Sequence, residues 1–254
     1  MTTVLKLGGS VLTDKHDHET VDAEALTTAA AVIGDSLDAS PDDPRATVDG
    51  CPPVVVHGGG SFGHPAAAEH GVSASVGTHD SAALFDVHRA MGRLLDRVVA
   101  ALQGAGVPAL PVRPLSLVRR TDAGLVCPAR PVETMLAEGF VPVLHGDVVV
   151  HEGTGGTVAS GDDLVVALAA ALDAERVGVC STVPGVLDDG AVVPEIHSYE
   201  SVADVLGDSE TTDVTGGMDG KVRSLLAVDG PAAVFGLDEL GTFLETGQAG
   251  TVVR

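Results

Sequence analysis

TVLKLGGSVLTDK, residues 3–15, decides the fold of this 254-residue chain. TVLKL (3–7) reads as a short buried strand that runs straight into a Gly-Gly-Ser turn, the opening of an α/β unit. The odd residue in it is Lys6, a charge inside an apolar strand. The chain holds three lysines, Lys6, Lys15 and Lys221, against 11 arginines and 36 acidic residues. Each lysine stands in or beside a glycine-rich turn. Lysine is a compact, mobile point charge, whereas arginine is a wider planar fork. A chain that has shed lysine elsewhere keeps it where arginine does not fit. A phosphoryl group squeezed between two anions is such a place, because there the protein's work is positioning and charge neutralisation.

Glycine concentrates beside polar groups in four segments: KLGGS (6–10), HGGGSFGH (57–64), GTGGTVASGDD (153–163) and DVTGGMDGK (213–221). Glycine admits positive φ and lets backbone approach a ligand, and successive free N–H groups make an anion-binding nest. At the ends of strands such turns can share one crevice. The pattern G-x-x-x-x-G-K-[ST] is absent. Gly58, Gly60 and Gly63 match G-x-G-x-x-G after a strand, but no acidic residue closes a second strand about 20 residues on. Asp80 and Asp86 belong to a long helix instead, which argues against nicotinamide binding.

Around these turns, strands alternate with helices. Residues 22–37 read as a helix, 38–50 as a polar loop, and PPVVVHGGG (52–60) as a strand entering a turn. The longest helical pattern spans 80–104, with Leu84, Val87, Met91, Leu94, Leu95, Val98 and Leu102 at helical spacing. GVPAL and FVPVLHGDVVV read as strand sequence with a helix over 131–138 between them. A helix starts at 161 or 162 behind a Ser/Asp cap. RVGVCS, AAVFG and TVVR read as strands, and 198–206 and 217–228 as helices. The predicted fold is a three-layer α/β/α sandwich with a mainly parallel central sheet. One domain spans 1–254, with an acceptor-binding lobe over roughly 1–158 and a nucleotide-binding lobe over 159–254.

Hydrophobic residues make up 44% of the chain, with five Phe, one Tyr and no Trp, so Val, Leu and Ala must build the core. The formal charge of −22 repels nucleic acid and anionic membranes. Acidic excess with lysine replaced by arginine points to a halophile, since concentrated salt screens the self-repulsion. Cys51, Cys127 and Cys180 show neither disulfide nor metal-ligand spacing. With no apolar run long enough to span a bilayer and no leader pattern, a cytoplasmic location is expected.

At KLGGSVLTDK, HGGGSFGHP, FVPVLHGDVV, SGDD, DVTGGMDGK and GTVVR the chain resembles the amino acid kinase superfamily. The second histidine of HGGGSFGH narrows the resemblance to the archaeal isopentenyl phosphate kinases and the related fosfomycin kinases. The resemblance implies an α/β/α homodimer that moves the γ-phosphoryl of Mg·ATP to isopentenyl phosphate, giving isopentenyl diphosphate, late in an alternative mevalonate route.

It also implies roles. Lys6, Gly8, Gly9 and Ser10 would bind ATP phosphates, Gly217 and Lys221 the β/γ end, and Ser181 and Gly185 the nucleoside side. Lys15 would stabilise the transition state, and Asp162 would orient the lysines. His64, Gly59 and Gly60 would hold the acceptor phosphate, with Gly60 also near the nucleotide. Gly146, Asp147 and Gly161 complete the acceptor side, and Leu84, Val87, Val148 and Val158 would line an apolar cleft for its tail. No protein metal ligands are expected; Mg2+ would travel with ATP. The chemistry agrees, because a phosphate monoester with a second pKa of about 6 is already an ionised nucleophile.

STVPGVL (181–187) departs from the family pattern: Thr182 replaces an acidic residue and Leu187 an aromatic one. Two alternatives stay open on the sequence, a kinase of another small phosphate or phosphonate, and a nucleotide-binding protein without turnover.

Overall fold

The computed structural model of the chain describes residues 2–14, 17–37, 52–207 and 217–254. Lys15, Cys51, Asp213 and the loop expected over 38–50 lie outside those residues. In chain order the elements are β1 (Thr3–Leu7), α1 (Gly9–Leu12), α2 (Ala23–Ser36), β2 (Val54–His57), α3 (Gly60–Glu69) and α4 (Ser81–Gly104). Next come β3 (Ala109–Pro111), α5 (Pro114–Leu117), β4 (Arg119–Thr121), β5 (Gly124–Val126), α6 (Ala129–Ala137), β6 (Val141–His145), β7 (Asp147–His151) and β8 (Gly155–Ala159). The rest is α7 (Gly161–Ala171), β9 (Arg176–Ser181), β10 (Leu187–Asp188), β11 (Ala191–Val192), β12 (Glu195–Ile196), α8 (Ala203–Gly207), α9 (Gly217–Leu225), β13 (Ala232–Gly236), α10 (Leu240–Thr246) and β14 (Thr251–Val253).

Eight strands form the central sheet in the order β12-β14-β13-β9-β1-β2-β6-β3. Pairing is parallel throughout except between β13 and β14. Side chains alternate across a strand, so each strand feeds two cores. Val4, Val54, Val56, Leu144, Val177, Val179 and Val234 pack on one face with Leu164, Val165 and Leu168 of α7 and Val222 of α9. Leu5, Leu7, Val55, Val143, Ala233 and Phe235 pack on the other with Ile33 of α2, Leu94, Leu95 and Val98 of α4, and Phe243 of α10. These are the three layers of an α/β/α sandwich. Burying each Val or Leu contributes on the order of 1.5–3 kcal/mol.

A second sheet, β5-β4-β7-β8, was not anticipated. It grows directly from the first. FVPVLHGDVVV is cut at Gly146: β6 ends at His145 in the central sheet and β7 starts at Asp147 in the other. Gly146 is thus a hinge between the two sheets, beside the carboxyl ends of β1 and β2. Among the described residues no helix is long and apolar enough to cross a membrane.

The caps explain the helix starts. Asp80 accepts from Ala82 N at 2.9 Å and opens α4. Ser160 and Asp163 form a reciprocal capping box that opens α7. The helix expected over 198–206 is instead a 3-10 turn (Tyr199–Ser201) followed by α8, and α9 stops three residues short of 228.

Candidate active site

The carboxyl ends of β1, β2, β6 and β9 and the start of α7 surround a cavity of about 740 Å³. This is where an open α/β sheet places ligands. Lys6 enters from β1. It shares a face with Val4, so its side chain points toward α7 and is 5% exposed. Its Nζ lies 2.6 Å from Asp162 Oδ2 at the second position of α7. Taking a lysine out of water demands such a partner. An ammonium has three N–H donors, so the pair leaves capacity for an anion.

The start of α7 is itself braced. Arg120 of β4 donates to Val158 O and to Asp163 Oδ2, both at 3.1 Å. Asp163 in turn accepts from Ser160 N at 3.1 Å. The second sheet therefore holds the turn that carries Asp162.

Two glycine turns stand side by side over Lys6. Thr13, buried at the end of α1, ties them: its hydroxyl donates to Gly9 O at 2.8 Å and accepts from Ser61 N at 3.0 Å. Among the described residues, no protein acceptor takes the N–H groups of Gly9, Ser10, Gly59 or Gly60. Gly60 adopts φ +47°, a glycine conformation. His64 follows one turn along α3 and lines the same cavity, half-buried. Pro65 has no N–H to give Ser61 O, and that carbonyl accepts from Glu19 N at 3.2 Å instead.

Lys221 lines the same cavity. It lies on the first turns of α9, its Nζ 3.2 Å from Gly217 O. That helix is held by Asp219, which accepts from Tyr199 Oη and from Arg223 Nε at 3.0 Å. The Arg223 guanidinium stacks 3.4 Å over the Tyr199 ring.

Most residues expected at the site meet there. Lys6, Gly8, Gly9, Ser10, Gly59, Gly60, His64, Val87, Gly146, Asp147, Val158, Gly161, Asp162, Ser181, Gly217 and Lys221 all line this cavity. Lys15 lies outside the described residues. Three expectations are corrected. Val148 is fully buried, and neither it nor Leu84 is among the residues that line the cavity. Gly185 is not a lining residue either. A Cβ there would fall 2.6 Å from Thr251 Oγ1 and 2.8 Å from Val192, so it is a close-packing glycine.

Some contributors were missed. Met91 of α4 joins Val87 and Val158 in lining the cavity; its Sδ occupies the space a Cβ on Gly63 would need, at 2.5 Å. A glycine facing a methionine across two helices leaves no trace in sequence. Thr13 was legible in part, since it follows Gly9 by four residues, the spacing at which a hydroxyl reaches back to a carbonyl. Asp147 is buried and accepts from His88 Nδ1 at 2.7 Å and from Val148 N at 2.8 Å. Burial pushes its carboxyl above the usual range, and the His88 contact opposes this.

The cavity thus gathers two cationic groups, glycine-turn donors and the apolar side chains of Val87, Met91 and Val158. It can hold two phosphates in contact, one of them carrying a short hydrocarbon.

The model of the amino acid kinase family matches residues 1–228. The chain is similar to the isopentenyl phosphate kinase of Haloferax volcanii, 55% identical over 253 residues that cover 99% of this chain and 98% of the relative. It is also similar to that of Methanocaldococcus jannaschii, 32% identical with 87% and 85% covered. A crystal structure of an isopentenyl phosphate kinase superposes with a TM-score of 0.81 over 100% of both chains, at 24% identity, and so shares the fold.

Proposed function

Because this chain belongs to the amino acid kinase family, and within it to the isopentenyl phosphate kinases, we propose that it phosphorylates isopentenyl phosphate with ATP, giving isopentenyl diphosphate and ADP. The observation that carries this reading is the convergence of Lys6, Lys221, His64 and the open glycine-turn N–H groups on one cavity with apolar lining. The similarity over nearly the full chain does not favour a phosphonate acceptor or a binding protein without turnover.

An acceptor phosphate dianion is the nucleophile and needs no general base. The barrier is its repulsion from ATP. In this reading Lys6, Gly8, Gly9 and Ser10 take the ATP phosphates, Lys221 and Gly217 the β/γ end, and Ser181 the nucleoside side. His64 with Gly59 and Gly60 holds the acceptor phosphate. Val87, Met91 and Val158 receive its tail, and Asp162 keeps the Lys6 ammonium aimed at the transferring group. Lys15 adds a further cation from the acceptor side. Residues 1–158 would then serve mainly the acceptor and 159–254 mainly the nucleotide.

Magnesium fits as a passenger of the nucleotide. Among the described residues no three His, Cys, Asp or Glu side chains are grouped to hold a metal, and Asp162 is engaged by Lys6. Mg2+ characteristically takes substrate phosphates and water as ligands, and bound so it would neutralise phosphate charge. We further read the protein as a cytoplasmic homodimer suited to high salt, from its −22 charge and the family resemblance.

The test is direct. Purified protein in concentrated KCl, given Mg·ATP and isopentenyl phosphate, should release ADP and produce a diphosphate visible by phosphorus NMR. Phosphorylation of fosfomycin or a carboxylate alone would overturn the assignment.

A further inference from the structure

Two buried histidines sit behind the cavity and have no part in the reading above. His57 ends β2 and His145 ends β6, and the two strands pair them directly in register. Both are fully buried. Their rings stack, with centroids 5.5 Å apart and planes at 26°. Each is followed by a glycine, and each makes the same contact with it. His57 Nδ1 lies 3.1 Å from Gly58 O, and His145 Nδ1 lies 2.9 Å from Gly146 O.

A carbonyl oxygen only accepts, so both rings carry their proton on Nδ1. Among the described residues their Nε2 atoms have no hydrogen-bond partner. The charged and titratable groups acting on the pair include Asp147, whose Oδ2 is 3.9 Å from His145 Nε2, His88, whose ring is 6.4 Å from that of His145, and Arg113, whose charge also disfavours a protonated His145. Burial pushes His57 down to about 4 and His145 well below its ordinary range, in keeping with two neutral rings.

The peptide planes held in this way matter. The carbonyl of Gly58 and the N–H of Gly59 belong to one peptide group, so fixing the first aims the second. Gly59 lines the cavity, and its N–H has no protein acceptor among the described residues. Flanked by glycine on both sides, that peptide has little intrinsic preference for either orientation. The carbonyl of Gly146 likewise shares a plane with the N–H of Asp147, at the point where the chain leaves one sheet for the other.

We propose that His57 and His145 are paired positioning residues, whose Nδ1–H groups clasp the following glycine carbonyls and so aim the peptide groups that form the acceptor-phosphate end of the cavity. This rests on the acceptor assignment under the proposed function.

The experiment compares His57→Leu, which keeps bulk but removes the donor, with His57→Asn, whose side-chain amide can stand in for Nδ1. For His57→Leu the KM for isopentenyl phosphate should rise about tenfold or more, with the KM for ATP within about threefold of wild type. His57→Asn should recover most of the loss. Wild-type turnover with an unchanged acceptor KM in His57→Leu overturns the inference and leaves the proposed function standing. Should His57→Leu not fold, long-range proton–nitrogen spectra of the wild-type histidines decide. Two imidazoles protonated only on Nδ1, unchanged between pH 7 and pH 5, are expected; an Nε2-protonated or charged pair overturns it. If the wild type does not phosphorylate isopentenyl phosphate, the proposed function falls, and the same spectra judge the clasps.

Discussion

Gly9 and Gly60 meet backbone to backbone: a Cβ added to Gly9 would stand 2.3 Å from the amide nitrogen of Gly60. A Cβ on Gly60 would fall 2.0 Å from Thr13 Oγ1, at a φ of +47° that side chains resist. The two turns that carry the open N–H groups are held in contact because neither has a side chain. Gly9→Ala or Gly60→Ala must push them apart. Turnover should fall at least about 100-fold, with a lower melting temperature. Gly104→Ala is the control: among the described residues nothing outside its chain neighbours and its own helix backbone lies within 4 Å of its added Cβ, and a helical Gly→Ala change should be neutral or stabilising by up to about 1 kcal/mol.

Lys6→Arg tests whether charge alone suffices. The guanidinium must fit a buried space where Nζ already lies 2.6 Å from Asp162. We expect kcat to drop about 100-fold or more with folding preserved. Lys6→Met instead strands the Asp162 carboxylate and should destabilise the fold by about 3 kcal/mol. Steady-state kinetics and urea unfolding separate the two effects.

His64→Ala should raise the acceptor KM about tenfold while leaving the ATP KM near wild type. His64→Gln keeps a donor and should do less harm. Equal rises for both substrates would remove His64 from the acceptor side.

Thr13→Val keeps the shape and deletes the hydroxyl. Ser61 N–H and Gly9 O then lose a shared partner, which costs about 2 kcal/mol. Thr13→Ser should restore most of it. Chemical denaturation of the three proteins is the measurement.

Stability should decline on acidification. His57 is held near 4 by burial, below the free value of about 6.5. The unfolded chain therefore binds more protons between these values, and stability is complete above about 6.5 and lost as pH falls toward 4. The limiting slope is about 1.4 kcal/mol per pH unit for each such imidazole, and His145 acts in the same direction. Asp147, raised by burial, offsets part of the loss at the acid end. Thermal melts from pH 7.5 to 4.5 should show the decline, and His57→Asn should flatten it.

Much of the architecture was legible because its signals are strong. The run from Leu84 to Leu102 keeps helical spacing along most of the 24-residue α4, and Ser160 with Asp163 marked the start of α7 within one residue. The second sheet was not legible. Its strands are three to five residues long, and β4 and β5 bury nothing completely, so they show no alternation to read. FVPVLHGDVVV reads as strand sequence throughout, with nothing to mark that the two sheets part at Gly146. At the site, Lys6, Lys221, Asp162 and most of the expected glycines line one cavity, whereas Leu84 and Val148 do not, because an apolar lining residue and an apolar core residue look the same in sequence.

β1 lies between β2 and β9 at the heart of the central sheet, with Val4 and Lys6 on one face and Leu5 and Leu7 on the other. A slip of one position in its pairing would send the ammonium group into the greasy layer beneath α4 and a leucine toward the cavity. Catalytic competence and correct threading of that strand are thus inseparable. Recovered turnover during renaturation therefore reports central-strand registry, and a renatured sample with full helical signal but no activity has failed at that step.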